Sequence, residues 1–203
     1  MSEIQSAAPA KASDDSWVGK SAGFLETHYD ELRRRLSDAP GAAMDDVCQR
    51  LAACRARGNK VIVAGNGGSA AIASHAAVDM VKMLRIRAMN FNEADLITCF
   101  ANDYGYENWV AEGLKAHGDK GDVAVLISSS GQSANITNAA KQARALGMEV
   151  ITLSGFKADN PLRALGDVNL WCDSQAYNIV ENVHQVWLLS ALDRLALHGP
   201  KHG

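Results

Sequence analysis

"KVIVAGNGGSA", residues 60–70, joins a short apolar run to a loop of small residues. The run KVIVAG is typical of a strand buried in a parallel sheet, and the glycines that follow allow a ligand to approach the backbone closely. A helix is predicted over residues 69–83, and the first N–H groups of such a helix can bind an anion. This order of strand, small-residue loop and helix is the repeating unit of an α/β fold.

The same pattern recurs in "DVAVLISSSGQSANI", residues 122–136. Residues 122–128 predict a second clear strand, and the helix that follows runs from Ser133 to Leu146 and stops at Gly147. Further strands are predicted in RAMNF, EVITLSG and VNLWC, a short helix in NPLRALG, and a long helix over residues 177–198. Alternating strands and helices predict a parallel sheet covered on both faces.

The chain divides into three predicted parts. Residues 1–16 have the Ala, Ser, Pro and Asp content of a disordered tail. Residues 17–58 predict two amphipathic helices, broken near Pro40, which need a domain or a partner subunit to pack against. Residues 59–203 form the α/β domain.

Composition excludes several classes of protein. The formal net charge of −3 gives no basic surface for direct nucleic-acid binding. The four cysteines are scattered without metal or disulfide spacing, which suits a reducing compartment. No apolar run reaches the roughly 18 residues of a membrane span, and the N-terminal residues lack a signal-peptide core. We therefore expect a soluble, cytoplasmic protein that contacts neither membrane nor nucleic acid.

The loop GNGGSA, residues 65–70, allows several interpretations. It lacks the Lys-Ser/Thr pair of a nucleoside triphosphate loop. It satisfies the dinucleotide pattern G-x-G-x-x-A, but the acidic residue expected at the end of the next strand is missing, since Glu93 and Asp95 come too late. A tight strand-to-helix turn with no ligand remains a structural alternative.

The serine-rich loop that follows the second strand is best interpreted together with the first. Ligands of open parallel sheets bind at the carboxyl ends of strands, so hydroxyl groups of both loops can meet on one anion (Ser69, Ser128, Ser130 and Ser133). A serine nucleophile would be expected in a G-x-S-x-G sequence, which is not present. Ser133 could instead cap the helix that it precedes.

Four segments carry a resemblance to a known family: GNGGSAAIASHAAVDM, ANDYGY, ISSSGQSAN and GMEVITLSG. They resemble the SIS (sugar isomerase) domain family, in the branch of the phosphoheptose isomerases and the DnaA initiator-associating proteins. The resemblance extends from about Trp17 to the end of the chain. It implies a flavodoxin-like three-layer sandwich with a central parallel sheet, and a homotetramer in which N-terminal helices pack between subunits.

The resemblance also implies roles for individual residues. Ser129 stands where threonine is usual in the family. The positions that match the substrate- and phosphate-binding residues of the family are Asn66, Gly67, Ser69, Asp103, Ser128, Ser129, Ser130 and Ser133.

At the positions that transfer the proton in phosphoheptose isomerases, the chain departs from the family. His75 matches the first histidine, but Asp79 replaces a glutamate, Glu181 replaces a glutamine, and Leu189 replaces the second catalytic histidine. These positions can also hold zinc in the family. We therefore expect either no required cofactor or a zinc ion held by His75, Asp79 and Glu181.

Isomerisation between aldose and ketose needs a base between C1 and C2 and an acid at the oxygens. Glu181 with His75 or His184 could form a rearranged acid/base set, supported by Asp79, which shares a helix face with His75. The alternatives are that Glu181 only favours a helix start and that His184 is a core histidine.

The predicted function is a phosphosugar aldose–ketose isomerase similar to sedoheptulose 7-phosphate isomerase. The alternative is a non-catalytic protein of the same fold that binds a phosphosugar or serves as an adaptor for a replication initiator. Leu189 favours the alternative, whereas the intact serine loops and the carboxylates at positions 79 and 181 favour the enzyme. The sequence does not identify the sugar.

Overall fold

The computed structural model describes residues 19–199, and its centre is a five-stranded parallel sheet. The strands follow the order β2-β1-β3-β4-β5, which is the order of flavodoxin-like folds. Their bounds are β1 Lys60–Gly65, β2 Arg87–Asn90, β3 Val123–Ser128, β4 Glu149–Ser154 and β5 Val168–Trp171. The predicted fold class is confirmed. The tail predicted over residues 1–16 lies outside the described residues.

Within residues 19–199, seven α-helices surround the sheet. They are α1 Ser21–Ser37, α2 Gly41–Ala56, α3 Gly68–Leu84, α4 Ala94–Tyr104, α5 Trp109–His117, α6 Ala134–Ala145 and α7 Tyr177–His198. The short helix predicted in NPLRALG is a single 3₁₀ turn, Arg163–Leu165. No helix in residues 19–199 combines the length and the apolar character that a bilayer span requires.

Alternate residues along each strand pack into two separate cores, because successive side chains of a strand point to opposite faces. Val61 and Val63 of β1 pack into the core that includes buried residues of α2, α3 and α7. Ile62 and Ala64 pack into the opposite core with residues of α5 and α6. The result is the three-layer arrangement of helices, sheet and helices.

The two N-terminal helices pack on α7. The indole N–H of Trp187 donates to the carbonyl oxygen of Leu36 at 3.1 Å, which fixes the end of α1 against α7. The rest of α1 is open: it contains no buried residue and exposes Phe24, Leu25 and Tyr29. An apolar helix face left uncovered in one chain is what a helix packed between subunits would show.

The helices α4 and α5 are absent from the sequence prediction, which assigned no element between residues 92 and 121. Their apolar residues do recur at helical spacing: Leu96, Ile97 and Phe100 of α4 pack on the second core, as do Trp109 and Leu114 of α5. The turn between them is made by Gly105, which has φ +82°. These helices place that turn beside the carboxyl end of β1, where Tyr106 bonds to Asn66.

Candidate active site

Two loops meet at the carboxyl ends of β1 and β3. These strands are neighbours, with Gly65 paired to Ile127 in register. The chain leaves β1 for β2 on one side and continues from β3 to β4 and β5 on the other, so the strand order reverses between β1 and β3. Such a reversal opens a crevice between the connecting loops, and it is where ligands of open α/β sheets bind.

Glycine shapes the loop that follows β1. Gly67 has φ +55° and ψ −123°, a conformation that is essentially closed to residues with a side chain. A Cβ on Gly65 would lie only 2.6 Å from the Cβ of Ser69, so this glycine allows the first turn of α3 to fold back onto the strand end. The loop therefore brings the N-terminus of α3, and the Ser69 side chain, to the crevice.

The loop after β3 shows whether Ser133 caps the helix that follows it. Ser133 occupies the N-cap position of α6, but its hydroxyl makes no capping hydrogen bond. Its Oγ lies instead 3.0 Å from the Oγ of Ser128. Because the side chain is not used as a cap, it leaves the first N–H groups of α6 without that partner. Capping does not account for this serine.

The two loops enclose a cavity of about 110 Å³. Seven of the predicted site residues line it. The hydroxyl of Ser129 is buried and has no hydrogen-bond partner within residues 19–199. A buried hydroxyl without a partner is costly, so a ligand oxygen in the cavity would satisfy it. The lining residues are Asn66, Ser69, Ile127, Ser128, Ser129, Ser130, Ser133, Tyr177 and Glu181.

The chemistry of this lining suits a phosphate bound without a counter-ion. Neither lysine nor arginine is among the nine residues that line the cavity. Hydroxyl groups and the starts of α3 and α6 supply the donors, and the partial positive charge of each helix N-terminus favours an anion.

Glu181 lies on the wall of the same cavity. Its carboxylate is packed against Gly68, the first residue of α3: a Cβ at position 68 would come within 2.6 Å of the carboxyl carbon. Only glycine leaves room for this approach. The contact places the carboxyl group of Glu181 beside the start of α3, where the helix dipole favours a negative charge.

His75 and Asp79 form a second group, further along α3. The Nε2 of His75 lies 3.3 Å from a carboxylate oxygen of Asp79. The Nδ1 of His75 lies 3.1 Å from the side-chain nitrogen of Gln185 on α7. Because an amide nitrogen can only donate, Nδ1 accepts this bond and the neutral ring carries its proton on Nε2, facing Asp79. The ring is half exposed.

Glu181, Gln185 and Leu189 are spaced four residues apart and therefore share one strip of α7. The strip runs from the cavity past His75 to a leucine that is partly buried against the first core. The position at which the family has its second histidine thus supplies neither a proton donor nor a metal ligand.

Zinc does not fit the residues of a single chain. Residues 19–199 contain no group of three or more His, Cys, Asp or Glu side chains that could hold a metal ion. Glu181 is packed on Gly68, the ring of His75 is bonded to Gln185 and Asp79, and Leu189 has no donor atom. The trio predicted as zinc ligands is therefore not assembled, and we assign no step to a metal.

Five of the predicted site residues do not line the cavity: Gly67, His75, Asp79, Asp103 and His184. Asp103 lies on the exposed helix α4, where its carboxylate contacts Asn102 and Cys99. His184 is completely buried, and its Nε2–H donates to the carbonyl oxygen of Ser154 at 2.9 Å. Burial lowers the pKa of His184 to about 4, so this ring is neutral at physiological pH. We leave it out of the proposed proton transfer.

Sequence reasoning missed four residues that support the site. Gln185 could have been found from its position four residues after Glu181. Tyr177 begins α7 and lines the cavity, held by an edge-on contact with Phe156 at 4.9 Å between ring centroids. Asn135 and Tyr106 bond to the side chain of Asn66, and no local spacing links the three in sequence.

Comparison with known proteins gives a consistent picture. The sequence profile described as "SIS domain" matches residues 27–155. The chain is 38% identical over 188 residues to a phosphoheptose isomerase of Streptomyces coelicolor, covering 87% of this chain and 80% of that protein. It is 31% identical over 169 residues to the Fusobacterium nucleatum phosphoheptose isomerase, covering 80% and 87%.

Solved structures agree with the sequence relatives. Phosphoheptose isomerase GmhA from Neisseria gonorrhoeae matches with a TM-score of 0.79 and 28% identity, covering 85% of this chain and 98% of that one. The phosphoheptose isomerase of Francisella tularensis matches with a TM-score of 0.78 and 25% identity, over 88% and 97% of the two chains.

Proposed function

We propose that this chain, which belongs to the SIS domain family, is a phosphosugar aldose–ketose isomerase that acts on sedoheptulose 7-phosphate or a closely related ketose phosphate. Its relatives named phosphoheptose isomerase support this reaction class. The observation that carries the proposal is the cavity between the two serine loops, because a carboxylate lies on the wall of an anion site.

The phosphate of the substrate binds in that cavity. Ser69, Ser128 and Ser133 donate hydroxyl hydrogen bonds, together with the N–H groups at the starts of α3 and α6. A sugar phosphate that displaces the bond between Ser128 and Ser133 releases the O–H group used in it, so that both hydroxyl groups can donate to the phosphate. Hydroxyl and backbone N–H donors, rather than cationic side chains, therefore hold this end of the substrate.

The proton is moved by Glu181. Its carboxylate takes a proton from one of the two carbons of the ketose–aldose pair and returns it to the other, through an enediol. The side chain of His75 bonds to Gln185, which lies about one helical turn of α7 beyond Glu181, and its Nε2–H faces Asp79. In our proposal a substrate oxygen takes the place of Asp79 at this N–H. His75 gives a proton to the carbonyl oxygen of the ketose, and Asp79 accepts the proton that the neighbouring hydroxyl loses, so the pair replaces the histidine lost at position 189.

The rest of the sugar binds where a second subunit covers the site. A cavity of about 110 Å³ is well below the roughly 300–1,000 Å³ of typical small-molecule sites, so one chain encloses only part of a sugar phosphate. Val78 of α3 and Val186 of α7 are exposed beside His75 and Gln185. We propose that a cytoplasmic homotetramer buries these residues and the open face of α1. Asp103 stays a predicted substrate contact in that assembly.

One observation favours a second candidate, a phosphosugar-binding protein without turnover. Leu189 removes a proton-transfer group from the strip of α7 that faces His75, while the phosphate cavity is intact. Such a protein would bind the same ligand and release it unchanged.

A discontinuous assay with separated sugar phosphates distinguishes the two. Purified protein is incubated with sedoheptulose 7-phosphate, and with hexose and pentose ketose phosphates as comparisons, in the presence of a chelator and with added zinc. We expect turnover of the heptose phosphate by the wild type and none by Glu181→Gln or His75→Ala. Saturable binding with no turnover of any substrate would establish the second candidate instead.

A further inference from the structure

We propose that Tyr106 is a positioning residue that acts on the ligand through Asn66. Its role is to fix the side-chain amide of Asn66 so that an N–H group points into the cavity. The inference rests on the proposed function only in that the cavity binds a phosphorylated ligand.

Asn66 and Asn135 form a closed pair of amides across the two loops. The Nδ2 of Asn66 donates to the Oδ1 of Asn135 at 3.0 Å, and the Nδ2 of Asn135 donates back to the Oδ1 of Asn66 at 2.8 Å. Asn135 lies in the first turn of α6 and is almost completely buried. The pair therefore ties the end of β1 to the start of α6.

Tyr106 completes the set of bonds to Asn66. Its hydroxyl donates to the Oδ1 of Asn66 at 3.2 Å. An amide oxygen has two lone pairs, and here one is taken by Asn135 and the other by Tyr106. The amide nitrogen has two hydrogens, of which one goes to Asn135. The second has no partner within the part of the chain that the structure describes.

The free N–H of Asn66 is available to a ligand because Asn66 lines the cavity. The cavity, at about 110 Å³, has room for a group with the five heavy atoms of a phosphate. With both lone pairs of Oδ1 occupied, Asn66 offers the ligand a donor, which selects an oxygen that accepts.

Tyr106 is well placed for a functional rather than a structural role. Its side chain is 55% exposed, and it stands in the turn between α4 and α5 directly after Gly105. Removing a hydroxyl from an exposed ring costs little packing. An effect of Tyr106→Phe on ligand binding would therefore come through Asn66 and not through the core.

The chain offers a matched control. Tyr104, two residues earlier, is 50% exposed, and its ring contact with Phe100 is edge-on at 5.5 Å, which a phenylalanine retains. Tyr104→Phe and Tyr106→Phe thus remove the same atom from neighbouring exposed rings, and only Tyr106 donates to Asn66.

The test is the Kd of inorganic phosphate, measured by titration calorimetry on the wild type and both variants, with the melting temperature as a second readout. We expect Tyr106→Phe to weaken phosphate binding about three- to ten-fold, the value of one hydrogen bond, with an unchanged melting temperature. Tyr104→Phe should bind as the wild type does.

Equal affinity of the wild type and Tyr106→Phe would overturn the inference, as would a wild type that binds no phosphate. Phosphate binding that depends on Tyr106 in a protein without isomerase activity would uphold it and overturn the proposed function. Failure of the two proposals is therefore distinguishable.

Discussion

The carboxylate of Glu181 on α7 lies against the bare Cα of Gly68, the first residue of α3. The contact brings a negative charge into a cavity whose other polar walls suit an anion. In the proposed reaction this carboxylate has two effects: it opposes the binding of phosphate, and it serves as the base. These two effects can be separated by experiment.

Replacing Glu181 by glutamine should abolish isomerisation and strengthen the binding of inorganic phosphate. The amide keeps the size of the side chain but removes both the base and the repulsion, which at an effective dielectric of about 20 amounts to a few kcal/mol for charges about 5 Å apart. Calorimetry and a turnover assay measure the two effects. Glu112→Gln, on α5 at the other side of the sheet, is the control and should change neither. Weaker phosphate binding by Glu181→Gln would contradict this account.

Gly68→Ala should lower kcat without unfolding the protein. The new Cβ would meet the flexible end of Glu181 rather than backbone, so the carboxylate has to move away from its position. We expect at least a ten-fold loss, since misplacing a proton-transfer group by about 1 Å is costly. Gly41→Ala, at the start of α2, where a Cβ meets nothing within 4 Å, is the control. An unchanged kcat in Gly68→Ala would show that the position of Glu181 does not matter.

Ser133→Ala should weaken phosphate binding about five- to ten-fold and leave stability nearly unchanged. The hydroxyl makes no capping bond to α6, so the usual loss of about 1 kcal/mol for removing a cap does not apply. Denaturant unfolding and phosphate titration measure the two quantities. A clear loss of stability with normal phosphate binding would restore the capping interpretation.

Stability should fall as the pH is lowered from 7 towards 4. Burial holds the pKa of His184 at about 4 in the folded protein, below its ordinary value of 6.5. The unfolded chain therefore gains a proton in this window while the folded chain does not. The expected loss is about 1.4 kcal/mol per pH unit, or about 3 kcal/mol in total. His184→Asn should show a smaller loss between pH 7 and pH 5 in guanidinium unfolding. Equal slopes would mean that the ring titrates normally.

Local pattern was sufficient for most of the fold. The apolar runs that end in glycine or serine predicted β1, β3 and β4. A strand buried on both faces appears in the sequence as a continuous apolar run, which is easy to recognise. The region that was missed holds two short helices, α4 without a fully buried residue and α5 packed into the second core, and only their spacing of apolar residues could have revealed them.

The site was predictable where it is local and not where it depends on packing between helices. Ser128 is the last residue of β3 and Ser69 lies in the first turn of α3, four residues after β1 ends, so the sequence places both at the crevice. His184 was proposed as a base because it is close to Glu181 along α7. A step of three residues, however, places it on the buried side of the helix. The bond from Tyr106 to Asn66 joins residues 40 positions apart, and only the tertiary structure shows it.

The most direct test of the central claim is proton NMR of sedoheptulose 7-phosphate in D₂O with the purified protein. If Glu181 moves a proton between C1 and C2, the wild type will convert the ketose to an aldose phosphate. Solvent deuterium will enter at these carbons to the extent that the carboxyl group exchanges its proton before returning it, and Glu181→Gln will show neither effect. A wild type that binds phosphate in the cavity yet gives no aldose and no deuterium incorporation would contradict the claim.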